Sequence, residues 1–269
     1  MKFYVDGIGL RGPGLAGWAS TRAVLAGSSP YQIAPVQLTA SDLLPPAERR
    51  RATDSVKLAM AVCEEAMQHA DASFAATPSV FASSGSDGAT ITAILENLAM
   101  PARELSPTRF HNSVHNAPAG YWSIATQSRA ASTSVCGYDA SFAVGLLEAV
   151  SQALTAHCRV LLAAYDLPYP PALHAVRRIV DGFALGLVLS PYSNASSLAE
   201  CEMQIMPECG AATSLADAGL EALRLGNPAA RGLSLLAAFA ARTSQTVIIE
   251  ELSGRALELS VRGFGDIAR

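Results

Sequence analysis

Four residues, Cys136-Gly137-Tyr138-Asp139, sit where a short β-capable run, Ala131 to Val135, meets a long helical pattern. A strand that feeds a helix through a tight turn is where many α/β enzymes hold a nucleophile. The unpaired N–H groups and positive dipole end of the helix point at whatever occupies that turn. Cys136 there would serve a small, self-sufficient acyltransferase or thioesterase; a thiol at a strand end also packs as a small hydrophobe. Asp139, just before the helix, reads as a helix cap, worth about 1 kcal/mol.

Other chemistry-bearing patterns are weaker. His111 and His115 stand at i, i+4, a spacing that presents two metal ligands on a helix. No Glu follows His111 and no third ligand has an evident location, so contacts within the core or with a partner are expected and no metal is. Gly7 and Gly9, with Gly12 and Gly14 beyond, lack the later ribose-binding acid of a dinucleotide loop and read as a simple turn, and Gly85-Ser86-Asp87-Gly88 is neither a Walker loop nor G-x-S-x-G. Arg49, Arg50 and Arg51 cluster in one helical turn, as a solvated face or as a dock for an acidic protein.

Stepping outward, the helix after Asp139 carries Ala143, Leu146, Leu147, Val150 and Leu154 on one face, the spacing of a core-facing stripe. Strands are expected at Lys2 to Ile8, Ser79 to Ser84, Arg159 to Tyr165, Phe183 to Ser190 and Cys201 to Met206. Helices are expected at Gly17 to Ala26, Ala89 to Leu98, Ala216 to Leu225 and Ala229 to Ala241. One further helix runs from Pro45-Pro46 to about Ala70, with Val56, Ala59, Met60 and Cys63 as its apolar stripe. A hairpin, Thr246 to Glu250 and Ala256 to Arg262, turns at Ser253-Gly254. Asp166-Leu167-Pro168-Tyr169-Pro170-Pro171 is a rigid loop, since three prolines exclude helix and strand alike.

Ser106-Pro107, Asn116, Ala119-Gly120, Arg129 and Ser132 fall at ungapped intervals before the turn. This stretch resembles the nucleophile half of a thiolase-fold β-ketoacyl synthase. The words HNAPAGYWSIAT, DASFAVGLLEA and AYDLPYP resemble more closely the chain-length-factor-like ketosynthase homologues of aryl polyene clusters. The general resemblance covers about residues 1–206, and the closer one nearly the whole chain. It implies an α/β, thiolase-like fold: a ketosynthase N-terminal half with a mixed, about five-stranded sheet and helices on both faces. Residues 207–269 would be a helical and β-hairpin extension completing that fold.

The resemblance places the family's nucleophilic cysteine position on Asp139, three residues after Cys136. The two decarboxylating histidines of the family lie in a second thiolase half, for which the chain leaves no room after Met206; no histidine follows His174. The implied function is a non-catalytic, chain-length-factor-like subunit, paired as a heterodimer with a catalytic ketosynthase subunit. The pair would elongate polyene chains on an acyl carrier protein by decarboxylative Claisen condensation, without a cofactor. The segment that lines the partner's acyl tunnel in ketosynthase dimers carries over to Phe110 and Val114, with Asn112 and His115 beside them. Phe110 packing in its own core, and Asp139 facing the partner's tunnel, are the alternatives at those positions. The rival functions are the Cys136 acyltransferase or thioesterase and a purely structural homodimer.

The totals bound these readings. The chain has 269 residues, of which 50% are hydrophobic and 16% charged, against about a quarter charged in ordinary globular domains. A shortage of charge leaves apolar surface that favours an obligate partner. The net charge of −4 argues against nucleic acid, whose phosphates want a basic surface. Five cysteines without a C-x-x-C pair read as reduced thiols, and no signal peptide or membrane span is evident. A cytoplasmic protein is expected.

Overall fold

The computed structural model describes residues 1–208, 210–251 and 254–263. Its strands are β1 (Lys2–Arg11), β2 (Ser79–Ala82), β3 (Ser132–Val135), β4 (Val160–Asp166), β5 (Phe183–Ser190), β6 (Ala199–Met206), β7 (Gln245–Glu250) and β8 (Ala256–Gly263). Between them lie α1 (Trp18–Leu25), α2 (Pro46–Arg51), α3 (Asp54–His69), α4 (Gly88–Ala99), α5 (Pro107–Asn112), α6 (Ala117–Thr126), α7 (Ser141–Ala156), α8 (Pro171–His174), α9 (Ala218–Gly226) and α10 (Leu233–Ala241). Short 3-10 turns at Tyr138–Ala140 and Ala229–Gly232 lead into α7 and α10.

All eight strands form one sheet in the order β3-β2-β4-β5-β1-β6-β8-β7. The sheet is mixed, as expected: β2 runs parallel to β3 and β4, and the remaining pairs are antiparallel. It has eight strands instead of about five, because β6 sits beside β1 and the β7–β8 hairpin extends the same sheet past β6. Of the expected turn at Ser253-Gly254, Ser253 lies outside the described residues.

The sheet is covered on both faces, and alternation along each strand divides the core in two. On β5, Phe183, Leu185, Leu187 and Leu189 join one cluster with Phe142, Leu146 and Val150 of α7. Ala184 and Val188 join the other, with Val56, Ala59, Met60 and Cys63 of α3 and Trp122 of α6. Side chains of a strand point alternately to opposite faces, so an unbroken apolar run is what a doubly covered strand needs. The α7 stripe behaves accordingly: Ala143, Leu146 and Val150 are fully buried, and Leu147 and Leu154 pack partly buried against the same cluster.

Glycine sets how closely α3 approaches. A Cβ on Gly9 or Gly186 would overlap the carbonyl oxygen of Val62, and one on Gly7 that of Ala66. The first turn of α1 is held from α3 as well, since Glu65 accepts the backbone N–H of Trp18 and of Leu10 and pairs with Arg11. At the other end of β1, a bulge between Val5 and Gly7 turns Asp6 into the interior. Its carboxylate meets Arg159 Nε at 2.8 Å, Asn194 Nδ2 at 2.7 Å and Ser197 Oγ at 2.9 Å.

The single helix expected from Pro45-Pro46 to Ala70 is two. Ala52 is extended (φ −60°, ψ 121°) and Thr53 likewise (φ −76°, ψ 170°), so α2 ends and α3 starts afresh. The break is compensated from a distance: Asn112 donates to the Arg51 carbonyl at 2.9 Å, and Ser55 Oγ donates to Asp87 at 2.7 Å.

Candidate partner-facing site

Three strands, β3, β2 and β4, end side by side at the face where the chemistry-bearing residues gather. The chain leaves β3 through Cys136 and Gly137 and then bends at Tyr138, whose φ is +54°. A left-handed conformation is uncommon for a bulky side chain, and such strain persists only where the surroundings hold it. Here the guanidinium of Arg177 lies 3.5 Å over the Tyr138 ring. Its Nη2 donates to Asp139 Oδ1 at 3.0 Å.

Asp139 therefore differs from the expected cap. It lies in the 3-10 turn before α7 and accepts from Arg177, while no side chain caps that turn or α7. Its charge still stands at the positive end of the α7 dipole. Cys136 is exposed instead of packed, and its thiol donates to the Ser84 carbonyl at 3.3 Å. Among the described residues no histidine or cation hydrogen-bonds this sulfur.

Beneath the turn lies Asp166, the last residue of β4, only 2% exposed. Its Oδ1 accepts from Ser83 Oγ at 3.0 Å, the Ser84 amide at 2.9 Å and Ser84 Oγ at 2.8 Å. Burial pushes its carboxyl pKa up to about 6, against the pull of the Ser84 and Ser83 bonds and the Arg177 charge. Burial works to lower the Arg177 pKa, and the Asp139 bond and charge outweigh it, so the guanidinium is held firmly charged.

The residues expected to line a partner's tunnel divide into two pairs. Phe110 on α5 and Val114 just beyond it are 66% and 50% exposed, so Phe110 does not pack in its own core. Asn112 is buried, with Nδ2 on the Arg51 carbonyl and Oδ1 accepting from Tyr121 at 3.0 Å. His115 is half-buried, its Nε2 lying 3.1 Å from the Ser83 carbonyl. His111 lies on α5 and His115 beyond its end, and no group of metal-binding residues exists among the described residues.

Further exposed apolar side chains lie on α4, which contacts α5, and elsewhere. α4 is strongly apolar, yet of its residues only Thr90 is buried; Leu95, Leu98 and Met100 stand out from the molecule, as do Leu105 and Ile124. Beside this arm, β3 is the end strand of the sheet, with one edge unpaired. The arginine cluster is largely neutralised within the chain, Arg49 by Asp42 at 2.8 Å and Arg51 by Glu48 at 3.2 Å. Among the described residues no helix is long and apolar enough to cross a membrane.

Sequence reasoning found the turn and the arm, and missed Arg177 and Asp166. The available signal was an acid ending an apolar strand, followed by a proline-stiffened connection far longer than an antiparallel neighbour requires.

Residues 18–251 match the family of β-ketoacyl synthase N-terminal domains. The chain belongs to that family. The fold of this ketosynthase relative is thiolase-like, and solved structures agree along its length. One is the ketosynthase ApeO in complex with its chain length factor ApeC from Xenorhabdus doucetiae: 21% identity, TM-score 0.72, covering 97% of this chain and 99% of the matched one. The ishigamide ketosynthase/chain length factor matches at 15% identity and TM-score 0.71, over 98% and 100% of the two chains. A type II polyketide complex of acyl-carrier protein with its hexaketide-bound ketosynthase, AntDE:AntF, matches at 12% identity and TM-score 0.72, over 98% and 99%. No curated protein matches the chain.

Proposed function

We propose that this chain is a non-catalytic, chain-length-factor-like subunit that pairs with an active β-ketoacyl-acyl-carrier-protein synthase in polyene chain elongation. The observation that carries the reading is the state of the nucleophile position. The resemblance puts that position on Asp139, which is ion-paired to Arg177, while Cys136 lies earlier in the turn with a carbonyl oxygen as its hydrogen-bond partner. A condensing enzyme needs a nucleophile, an oxyanion hole and groups that assist loss of the extender's carboxylate. A carboxylate in place of the thiol cannot form the acyl-enzyme thioester.

The surface supports a partner. The exposed residues of α4 and α5 and the unpaired edge of β3 are apolar area and hydrogen-bonding capacity that a lone protein gains nothing by exposing. Phe110 and Val114 project from this surface and form the floor of the partner's acyl tunnel. The full-length likeness to chains in ketosynthase/chain length factor complexes supports the same pairing.

Co-expression tests it. With its ketosynthase the chain is expected to elute from gel filtration as a 1:1 complex; alone it should self-associate or aggregate. A well-behaved monomer that ignores the ketosynthase overturns the reading.

A further inference from the structure

β4 and β5 are antiparallel neighbours, which a two-residue turn can join. The chain instead takes Leu167–Gly182 to make the connection and lays it across the ends of β2 and β4. Contacts along its length hold this segment down. Tyr169 covers Gly85 and Gly88, where any Cβ would overlap its ring. Arg177 stacks on Tyr138 and pairs with Asp139. Asn227 draws the two ends of the segment together, donating to the carbonyls of Asp166 at 3.2 Å and Asp181 at 2.7 Å, while the Val180 amide donates to Gly226 at 2.9 Å.

What lies beneath is incompletely satisfied. Asp166 Oδ2 and Arg177 Nε are both buried without a hydrogen-bond partner. A buried polar group without a partner is destabilising, more so when charged. The segment thus covers a carboxyl group whose second oxygen it leaves without a hydrogen-bond partner.

We propose that Leu167–Gly182 is a pH-sensitive strap, latched by Arg177 onto Tyr138 and Asp139, that closes over Asp166 and opens to hydrate it. The inference goes beyond the pairing with a ketosynthase and does not depend on it. The sign follows from the buried carboxyl. In the closed state burial raises its pKa from 3.8 to about 6; in the open state, hydrated, it returns toward the ordinary value. Closing is therefore most favoured below the lower value and loses ground as pH rises through the upper one. Two pKa units correspond to roughly a hundredfold in the open-to-closed ratio.

Of the other titratable or charged groups, Arg177 and Tyr165 act on this carboxyl directly; His115 and Cys136 reach it only through the carbonyls of its partners Ser83 and Ser84, Asp139 through Arg177, and Asp87 through Tyr165. Burial pushes the Tyr165 hydroxyl far above its ordinary value, so it does not titrate in this window.

Hydrogen-exchange protection of the Val180 amide in the full-length protein, corrected for intrinsic rates, measures the opening. Wild type should lose up to roughly a hundredfold of protection between pH 4 and pH 7, while the Leu162 amide in the sheet holds steady. Asp166→Asn should abolish that pH dependence. Arg177→Gln should lower Val180 protection more than tenfold at every pH, an arm that stands even if Asp166→Asn fails to fold. PH-independent protection in wild type, an unchanged profile in Asp166→Asn, or unaffected protection in Arg177→Gln would overturn the proposal.

Discussion

Asn112 donates its side-chain amide to the Arg51 carbonyl, 2.9 Å away, across the break between α2 and α3. Its oxygen meanwhile accepts from the buried hydroxyl of Tyr121 at 3.0 Å. The same short helix that presents Phe110 outward is thus anchored inward by Asn112, and the two residues should respond to mutation in opposite ways.

Asn112→Ala removes both bonds and leaves the Arg51 carbonyl and Tyr121 hydroxyl short of partners. It should cost about 2 kcal/mol of folding stability, read as a lower urea midpoint. A stability within error of wild type would mean that the break between α2 and α3 is held by something else.

Phe110 and Val114 should be nearly silent for stability, within about 0.5 kcal/mol, because they are exposed. Their effect should appear in the product. On the proposed pairing, Phe110→Ala should deepen the partner's tunnel and lengthen the polyene made by the reconstituted pair, and Val114→Trp should shorten it. Unchanged lengths from properly assembled variants would remove these residues from the tunnel.

Asp6 anchors a buried polar network away from the site. Its carboxylate is fully buried, with Arg159, Asn194 and Ser197 around it. Asp6→Ala strands a partly buried guanidinium and should cost roughly 3 kcal/mol, measurable by chemical denaturation. A loss below 1 kcal/mol would show that the network contributes little.

What was legible in the sequence was what repeats locally. The α7 stripe and the apolar runs of β4 and β5 gave their own burial, because period 3.6 and doubly covered strands are properties of a short window. The turn before α7 was equally visible. What escaped was decided at long range. The helix break at Ala52 is marked only by the helix-start residues Thr53 and Asp54 just after it, and it is compensated by Asn112. Asp139 was expected to cap a helix, and Arg177, far along the chain, takes its carboxylate instead. The sheet came out wider than expected because β6, β8 and β7 add to its far side, and edge-to-edge pairing leaves little trace in hydrophobic periodicity. The division of the four tunnel candidates into two exposed and two inward-facing residues is likewise a matter of packing.

The central claim is that this chain contributes no nucleophile to condensation, and assaying defined pairings tests it most directly. Wild type and Cys136→Ala, each with an intact ketosynthase, should form condensation product at equal rates. Either one with a cysteine-dead ketosynthase should form none. Asp139→Cys with the dead ketosynthase should show slow self-acylation at most, since a thiol at the end of α7 still lacks the groups that assist decarboxylation. Each missing electrostatic donor is typically worth roughly a hundred- to thousandfold in rate. Condensation product from wild type with the cysteine-dead ketosynthase, or activity lost in a folded Cys136→Ala pairing, would contradict the account.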